Sequence, residues 1–343
     1  MYKLFILVLF FNVTVCYPQS VLEVDKPFIT GDLGMLFSAL EANRDSGFYK
    51  AIEILENGLN NAKTNYEIYR IAVNLGFLYT KTGQFDKCLD MFDAANRKGI
   101  CFDFYPGNNP FPPYLSDYKE NKRFAGFMII NDSLREVLSA NTQAEYFVAL
   151  PAGYDKSEKY PLLIVLHGGL GSYYGIYENW QSDLVRKSFI TVYIQGRELK
   201  GSFTFSYGNK GMDDVTKVYH EVIEKYPADT TSVILAGQSA GAELALNLTN
   251  SRIPAKGLFL AFPVKPADFD IYRAQMLKKA AVKTYMIFGE QDRQFYPGQS
   301  ELSNLLDSAK VENRVIKYPD LGHDFPDDFE KQLDIGLTFL LEN

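Results

Sequence analysis

The chain of 343 residues holds only three cysteines, three histidines and a single tryptophan. No histidine or cysteine cluster has metal-ligand spacing, so a metal centre built from those residues is excluded. If Cys16 is lost in processing, Cys88 and Cys101 remain. They allow one disulfide in an oxidising compartment, but two buried thiols are the expectation, because Cys88 falls where a helix packs. A basic charge excess is missing as well: 35 Lys and Arg stand against 42 Asp and Glu, a net charge of −7. That balance argues against nucleic acid or an anionic membrane as the main partner. Nor is any apolar run long enough to span a bilayer comfortably. The nearest, Leu4 to Cys16 in "MYKLFILVLFFNVTVCYPQS", follows one lysine and gives way to polar chain, which is the pattern of a secretory signal and not of an anchor. Residues 1–16 are therefore read as a signal peptide, with Thr14 and Cys16 at −3 and −1 of the cleavage site and export to periplasm or medium as the consequence. A lipid anchor on Cys16 is the alternative, disfavoured by the bulk of Val15 before it.

What is present is ordinary globular composition, 47% hydrophobic and 22% charged, in a chain long enough for roughly two domains. From about residue 32 to 100 the apolar periodicity is helical. In "NLGFLYTKTGQFDKCLDMFDAA" the residues Leu75, Gly76, Tyr79, Gly83, Phe85, Cys88, Phe92 and Ala95 resemble a tetratricopeptide repeat in spacing. Gly76 and Cys88 would let two antiparallel helices approach closely, with Tyr79 and Phe92 filling the space between them. "SGFYKAIEILENGL" resembles half of a second repeat. Two such repeats cannot bury their apolar faces alone, so they are expected to pack on the next domain, and they are a candidate surface for a protein partner. Residues 101–143 read as an aromatic, proline-rich connector followed by one or two closing helices.

From residue 144 the rhythm changes to short apolar runs alternating with helical patterns. "AEYFVALP", "PLLIVLHGG", "FITVYIQG", "TSVILAG", "KGLFLAF", "KTYMIFGEQD" and "NRVIKYPD" read as strands. The expected fold class is α/β, a mostly parallel sheet with helices on both faces and a site at the carboxyl ends of the strands. At the end of one strand lies Gly237-Gln238-Ser239-Ala240-Gly241. A strand that reverses into a helix this tightly has no room for Cβ atoms on its flanks, and it lifts the serine clear at the tip.

Over residues 144–343 this arrangement resembles the α/β-hydrolase family, in which the nucleophile, the acid and the histidine follow in that chain order. The resemblance implies Ser239 as nucleophile, within an elbow made by Gly237 and Gly241. His323, the sole histidine after Ser239, then becomes the base. For the acid, "YMIFGEQD" offers Glu290 and Asp292, and its Gly-x-x-Asp arrangement favours Asp292; Asp320 and Asp324 are read as solvated or loop-capping. The oxyanion donors are assigned to the amides of Gly169 and Ala240, with Gly168 and Leu170 as alternatives to Gly169. His167 is expected to orient that loop, and His220 to be a packing or surface residue. Trp180, Phe203, Phe205 and Tyr207 either border a pocket or belong to the core.

The entry "YFVALPAGYDKSEKYPLLIVLHGGLGS" is similar to the start of secreted carboxylesterase- or phospholipase-like enzymes, feruloyl esterases among them. That resemblance implies hydrolysis of carboxylic esters (small-molecule, glycan-linked or lipid) through an acyl-enzyme, with no cofactor. An oligopeptidase of the prolyl-peptidase-like type shares the elbow and the triad order, but the amino-terminal helices are small for a domain that limits access. A third reading, a non-catalytic binding protein on a degenerate hydrolase scaffold, is opposed by the retained serine, acid, histidine and glycines.

Overall fold

The structure, a computed structural model, describes residues 21–25, 39, 47–103 and 121–342. The signal peptide with Cys16, the early part of the helical span and residues 104–120 of the connector lie outside the described residues.

Helix α1 (Phe48–Asn61) leads into α2 (Asn65–Lys81), whose start is written locally. The Thr64 side chain accepts the Glu67 amide, and the Glu67 carboxylate accepts the Thr64 amide at 2.8 Å, so two orphan donors are satisfied reciprocally. Gly83, at φ +72°, turns the chain into α3 (Phe85–Arg97). A Cβ on Gly76 would lie 2.5 Å from the Phe92 ring, so only glycine lets α3 lie this close to α2. This is the role the spacing suggested for Gly76 and Phe92. Tyr79 donates to Glu56 Oε1 at 2.7 Å and ties α2 to α1. Cys88 and Cys101 are both buried and not joined to one another. Of the one or two closing helices expected, one, α4 (Lys122–Ser139), forms among the described residues, capped by the Asn121 side chain.

Eight strands make one sheet among the described residues, in the order β1 (Val21–Glu23), β2 (Ala144–Ala149), β4 (Ile190–Gln195), β3 (Tyr160–Leu166), β7 (Ala228–Gln238), β8 (Gly257–Ala261), β9 (Lys283–Gly289), β10 (Asn313–Tyr318). β2 is antiparallel to β4 and parallel to β1, while β4 through β10 run parallel. The central strands are apolar at nearly every position because both faces are covered. Alternate residues serve opposite faces. Leu162, Ile164 and Leu166 join the core under α7 (Gly211–Lys225), α8 (Ala240–Leu248), α9 (Ile271–Lys279) and α10 (Tyr296–Ser308). Leu163 and Val165 join the core under α5 (Tyr173–Asn179), α6 (Asp183–Ser188) and α11 (Phe329–Leu341). This is the α/β-hydrolase fold.

Two features have no counterpart in the sequence reading. β1 comes from outside residues 144–343, and three residues are too few to carry a period. A two-stranded hairpin, β5 (Glu198–Gly201) and β6 (Thr204–Ser206), stands apart from the main sheet and meets the helices. Ser202 accepts the Cys101 amide at 2.8 Å and returns its own amide to the Cys101 carbonyl at 2.9 Å. Tyr69 Oη lies 3.2 Å from Thr204 Oγ1. On α5, Glu178 takes Arg70 at 3.1 Å and the Tyr66 hydroxyl at 3.2 Å. The helical region is thus seated on the sheet domain.

Candidate active site

Strand β7 delivers Ser239 to the elbow with φ +52° and ψ −120°. A non-glycine residue in this sparsely populated region costs about 1–3 kcal/mol, and surrounding contacts must hold it there. They do so through the Ser239 amide, which donates to the Ala261 carbonyl at 3.0 Å. A Cβ on Gly237 would sit 2.5 Å from the Gly241 carbonyl carbon, and a Cβ on Gly241 would run into the carbonyl oxygens of Leu166 and His167. The neighbours are backbone and have nowhere to go. Gly241→Ala is accordingly expected to cost about 3 kcal/mol of stability, at the upper end of overpacking, read as a lowered urea midpoint.

The loop after β9 carries both candidate acids, and the structure separates them. Asp292 is 4% exposed, whereas Glu290 is exposed and its carboxylate accepts the Tyr296 hydroxyl at 3.4 Å. His323 Nδ1 lies 2.6 Å from Asp292 Oδ2. A carboxylate there fixes the tautomer, since Nδ1 must donate and Nε2 is left as the nitrogen that exchanges a proton. Asp292 is itself held: Gln299 Nε2 donates to Oδ2 at 2.9 Å and the Phe295 amide to Oδ1 at 3.3 Å. Asp320 is exposed, and Asp324 accepts the Phe325 amide at 2.8 Å, so both stay outside the pair as expected. The His323 ring is bracketed by Phe262 and Phe295, each with its centroid 4.9 Å away. Phe262 follows Ala261, the residue that anchors Ser239, and so links the two loops. Ser239 Oγ makes no hydrogen bond among the described residues; the contact formed in this structure is that of acid with histidine.

The third part is the loop after β3. Gly168 is buried, its Cβ position 3.6 Å from that of Ser239, while Gly169 is exposed and faces Ala240, with 3.8 Å between Cβ positions. Neither the Gly169 nor the Gly168 amide has an acceptor among the described residues, and Ala240 opens α8, where the first amides have no helical partner. Gly169 and Ala240 thus present open amides beside the serine. Leu170, the remaining alternative, lines a separate cavity. His167 holds this loop from beneath. It is fully buried, Nδ1 lies 2.6 Å from the Gly168 carbonyl, Nε2 accepts the Gly196 amide at 3.0 Å, and Tyr207 stacks on the ring at 4.3 Å. Those partners require the neutral tautomer with its proton on Nδ1.

Burial pushes the His167 imidazole down to about 4. The unfolded chain, titrating near 6.5, takes up the proton first as pH falls. The fold therefore keeps its full stability above about pH 6.5 and loses up to about 3 kcal/mol on descending to pH 4. Urea midpoints measured across that range in wild type and His167→Asn check this, the variant losing that part of the slope.

The other residues fall outside the chemistry. His220 is exposed on α7. Trp180 is core, and it donates to Gln238 Oε1 at 3.3 Å just before the serine. Phe205 and Tyr207 are buried, while Phe203 lines the cavity noted above. Gln299, Phe262 and Phe295 had drawn no notice in the sequence. A glutamine seven residues past the acid, on the next helix, is the one local signal that existed. Among the described residues no group of three His, Cys, Asp or Glu is arranged to hold a metal ion, and no helix is long and apolar enough to cross a membrane.

No model of a protein family matches the chain, and no curated protein matches it. Solved structures do. An uncharacterised protein from Bacillus cereus is 21% identical, with 91% of this chain and 99% of that one aligned at a TM-score of 0.50. A Bacillus cereus carboxylesterase is 18% identical over 60% of this chain and 99% of its own, TM-score 0.45. An esterase from Thermogutta terrifontis with propionate bound is 13% identical over 59% and 90%, TM-score 0.42. At 21% identity the first likeness is one of fold, and it extends over nearly the whole length of this chain.

Proposed function

We propose that this protein is a serine hydrolase of carboxylic esters, with Ser239 as nucleophile, His323 as general base and acid, and Asp292 orienting the imidazole. Ser239 Oγ adds to the ester carbonyl carbon while His323 Nε2 takes its proton; the carbonyl oxygen becomes an oxyanion in front of the Gly169 and Ala240 amides. Collapse of this intermediate breaks the carbon–oxygen bond to the alcohol, which leaves with the proton returned by His323. Water then adds to the acyl-enzyme with the same base, and release of the acid restores the serine. Asp292 accepts from His323 Nδ1 and so orients the imidazole and stabilises the imidazolium.

The observation that carries the reading is the 2.6 Å contact of buried Asp292 with His323, set beside a strained serine elbow in the expected chain order. The serine-to-histidine hydrogen bond is expected to form with substrate bound, as such bonds tighten in the complex. The test is reaction of the full protein with a fluorophosphonate, mapped by mass spectrometry, together with turnover of short acyl esters and peptide amides. A single adduct on Ser239 with ester turnover supports the reading. A folded sample that takes no label overturns it, and amide turnover above ester turnover moves the assignment to a peptidase.

A further inference from the structure

Between the amino-terminal helices and the sheet domain lies a cavity of about 350 Å³. Its walls come from distant parts of the chain: Tyr66, Tyr69 and Val73 of α2, Phe102, Leu170 of the loop that carries Gly169, and Phe203 of the β5–β6 hairpin. Well-packed interiors leave few voids larger than a water molecule. Here polar ties keep the walls apart, Tyr66 and Arg70 to Glu178 on one side and Tyr69 to Thr204 on the other. A space kept open by specific contacts, at the size of a small ligand pocket, points to an occupant.

The chemistry of the walls selects that occupant. Phe203 meets Tyr66 edge to face at 5.3 Å and Tyr69 at 5.5 Å, and Tyr69 stacks on Phe102 at 5.3 Å, so the lining offers ring faces and edges together. Those are the surfaces that favour another aromatic ring in offset or edge-on contact. The charged residues on the lining are Arg70, paired with Glu178 at 3.1 Å, and the acidic Asp103, so nothing in it recruits a carboxylate or phosphate. Reach fits as well. Gly169 faces Ala240, and Leu170 is the next residue, about 4 Å along the chain. The cavity thus begins on the order of 10 Å from the elbow, within range of a ring held two or three bonds from an ester carbonyl. Leu170 and Gly171 both line it, and Gly171 is held against the β5–β6 hairpin by the hydrogen bonds it exchanges with Phe205 at 3.1 and 2.7 Å.

We propose that this cavity is the subsite for a neutral aryl group of the ester substrate, so that the helical region completes the active site and does more than cap it. The proposal rests on the ester-hydrolase reading above. Its test uses matched pairs: ethyl 3-phenylpropanoate against ethyl butanoate, and 2-phenylethyl acetate against butyl acetate. Wild type is expected to favour the aryl member of at least one pair in kcat/KM. Val73→Trp, which fills the cavity, should lower that aryl-to-alkyl ratio tenfold or more, chiefly through KM. Phe203→Leu, which removes one ring, should lower it less and guards against misfolding of the first variant. No aryl preference in wild type, or a ratio that neither variant changes, overturns the subsite. If Ser239 proves unreactive, the ester-hydrolase reading fails separately, and calorimetric titration of Ser239→Ala with ethyl 3-phenylpropanoate decides the cavity. Binding that vanishes with added Val73→Trp supports it, and absence of binding overturns it.

Discussion

Ser239→Ala is expected to lower ester turnover on the order of a millionfold and to abolish fluorophosphonate labelling, with stability unchanged within about 0.5 kcal/mol. The rate falls this far because no other group can form the acyl-enzyme. What remains over water comes from the open amides at Gly169 and Ala240 and from binding. Stability holds for a separate reason. Alanine keeps the Cβ and so keeps the same backbone strain at φ +52°, and the hydroxyl it removes makes no hydrogen bond among the described residues. Turnover of a short acyl ester and a urea titration of the same sample separate the two effects. A variant that retains more than a thousandth of wild-type turnover would remove Ser239 from the mechanism.

Asp292→Asn is expected to lower kcat on the order of ten-thousandfold while the protein stays folded. The neighbours explain both halves of this result. An amide NH₂ placed toward His323 cannot accept from Nδ1; it donates instead, which forces the ring proton onto Nε2, where it blocks removal of the serine proton. Gln299 is the reason the fold survives. Its Nε2 donates to Asp292 now, while its buried Oε1 has no partner among the described residues. In the variant the Gln299 amide turns over and presents that oxygen to the new NH₂. Glu290→Gln, on an exposed side chain, is the control and should leave turnover at the wild-type level. The opposite result, with Glu290→Gln inactive and Asp292→Asn active, would reassign the acid.

Much of the site was legible because its constraints act over a few residues. Gly237 and Gly241 flank a turn where a Cβ would meet backbone, and that demand shows in the letters. Central strands buried on both faces announce themselves as apolar runs, and a chain with a single histidine after its elbow serine leaves one candidate base. The short elements were not legible. Val21–Glu23 and the β5–β6 hairpin are too brief for any periodicity, and they exist because the sheet edge and the helices supply partners for them. The close approach of α2 and α3 is readable at one position, Gly76, where a Cβ would meet the Phe92 ring.

By itself, then, the sequence determined the α/β architecture, the elbow at Gly237 and Gly241 and the chain order of Ser239, Asp292 and His323, since local sterics and hydrophobic periodicity are properties of neighbouring residues. The sequence favoured Asp292 over Glu290. Only the tertiary structure, however, puts Asp292, buried, 2.6 Å from His323, because that contact depends on which carboxylate is brought beside an imidazole 31 residues further on. It alone brought Tyr66 to Glu178 and Tyr69 to Thr204, separated by 112 and 135 residues. Contacts of that span are set by how the helices seat on the sheet, and no pattern within either segment encodes them.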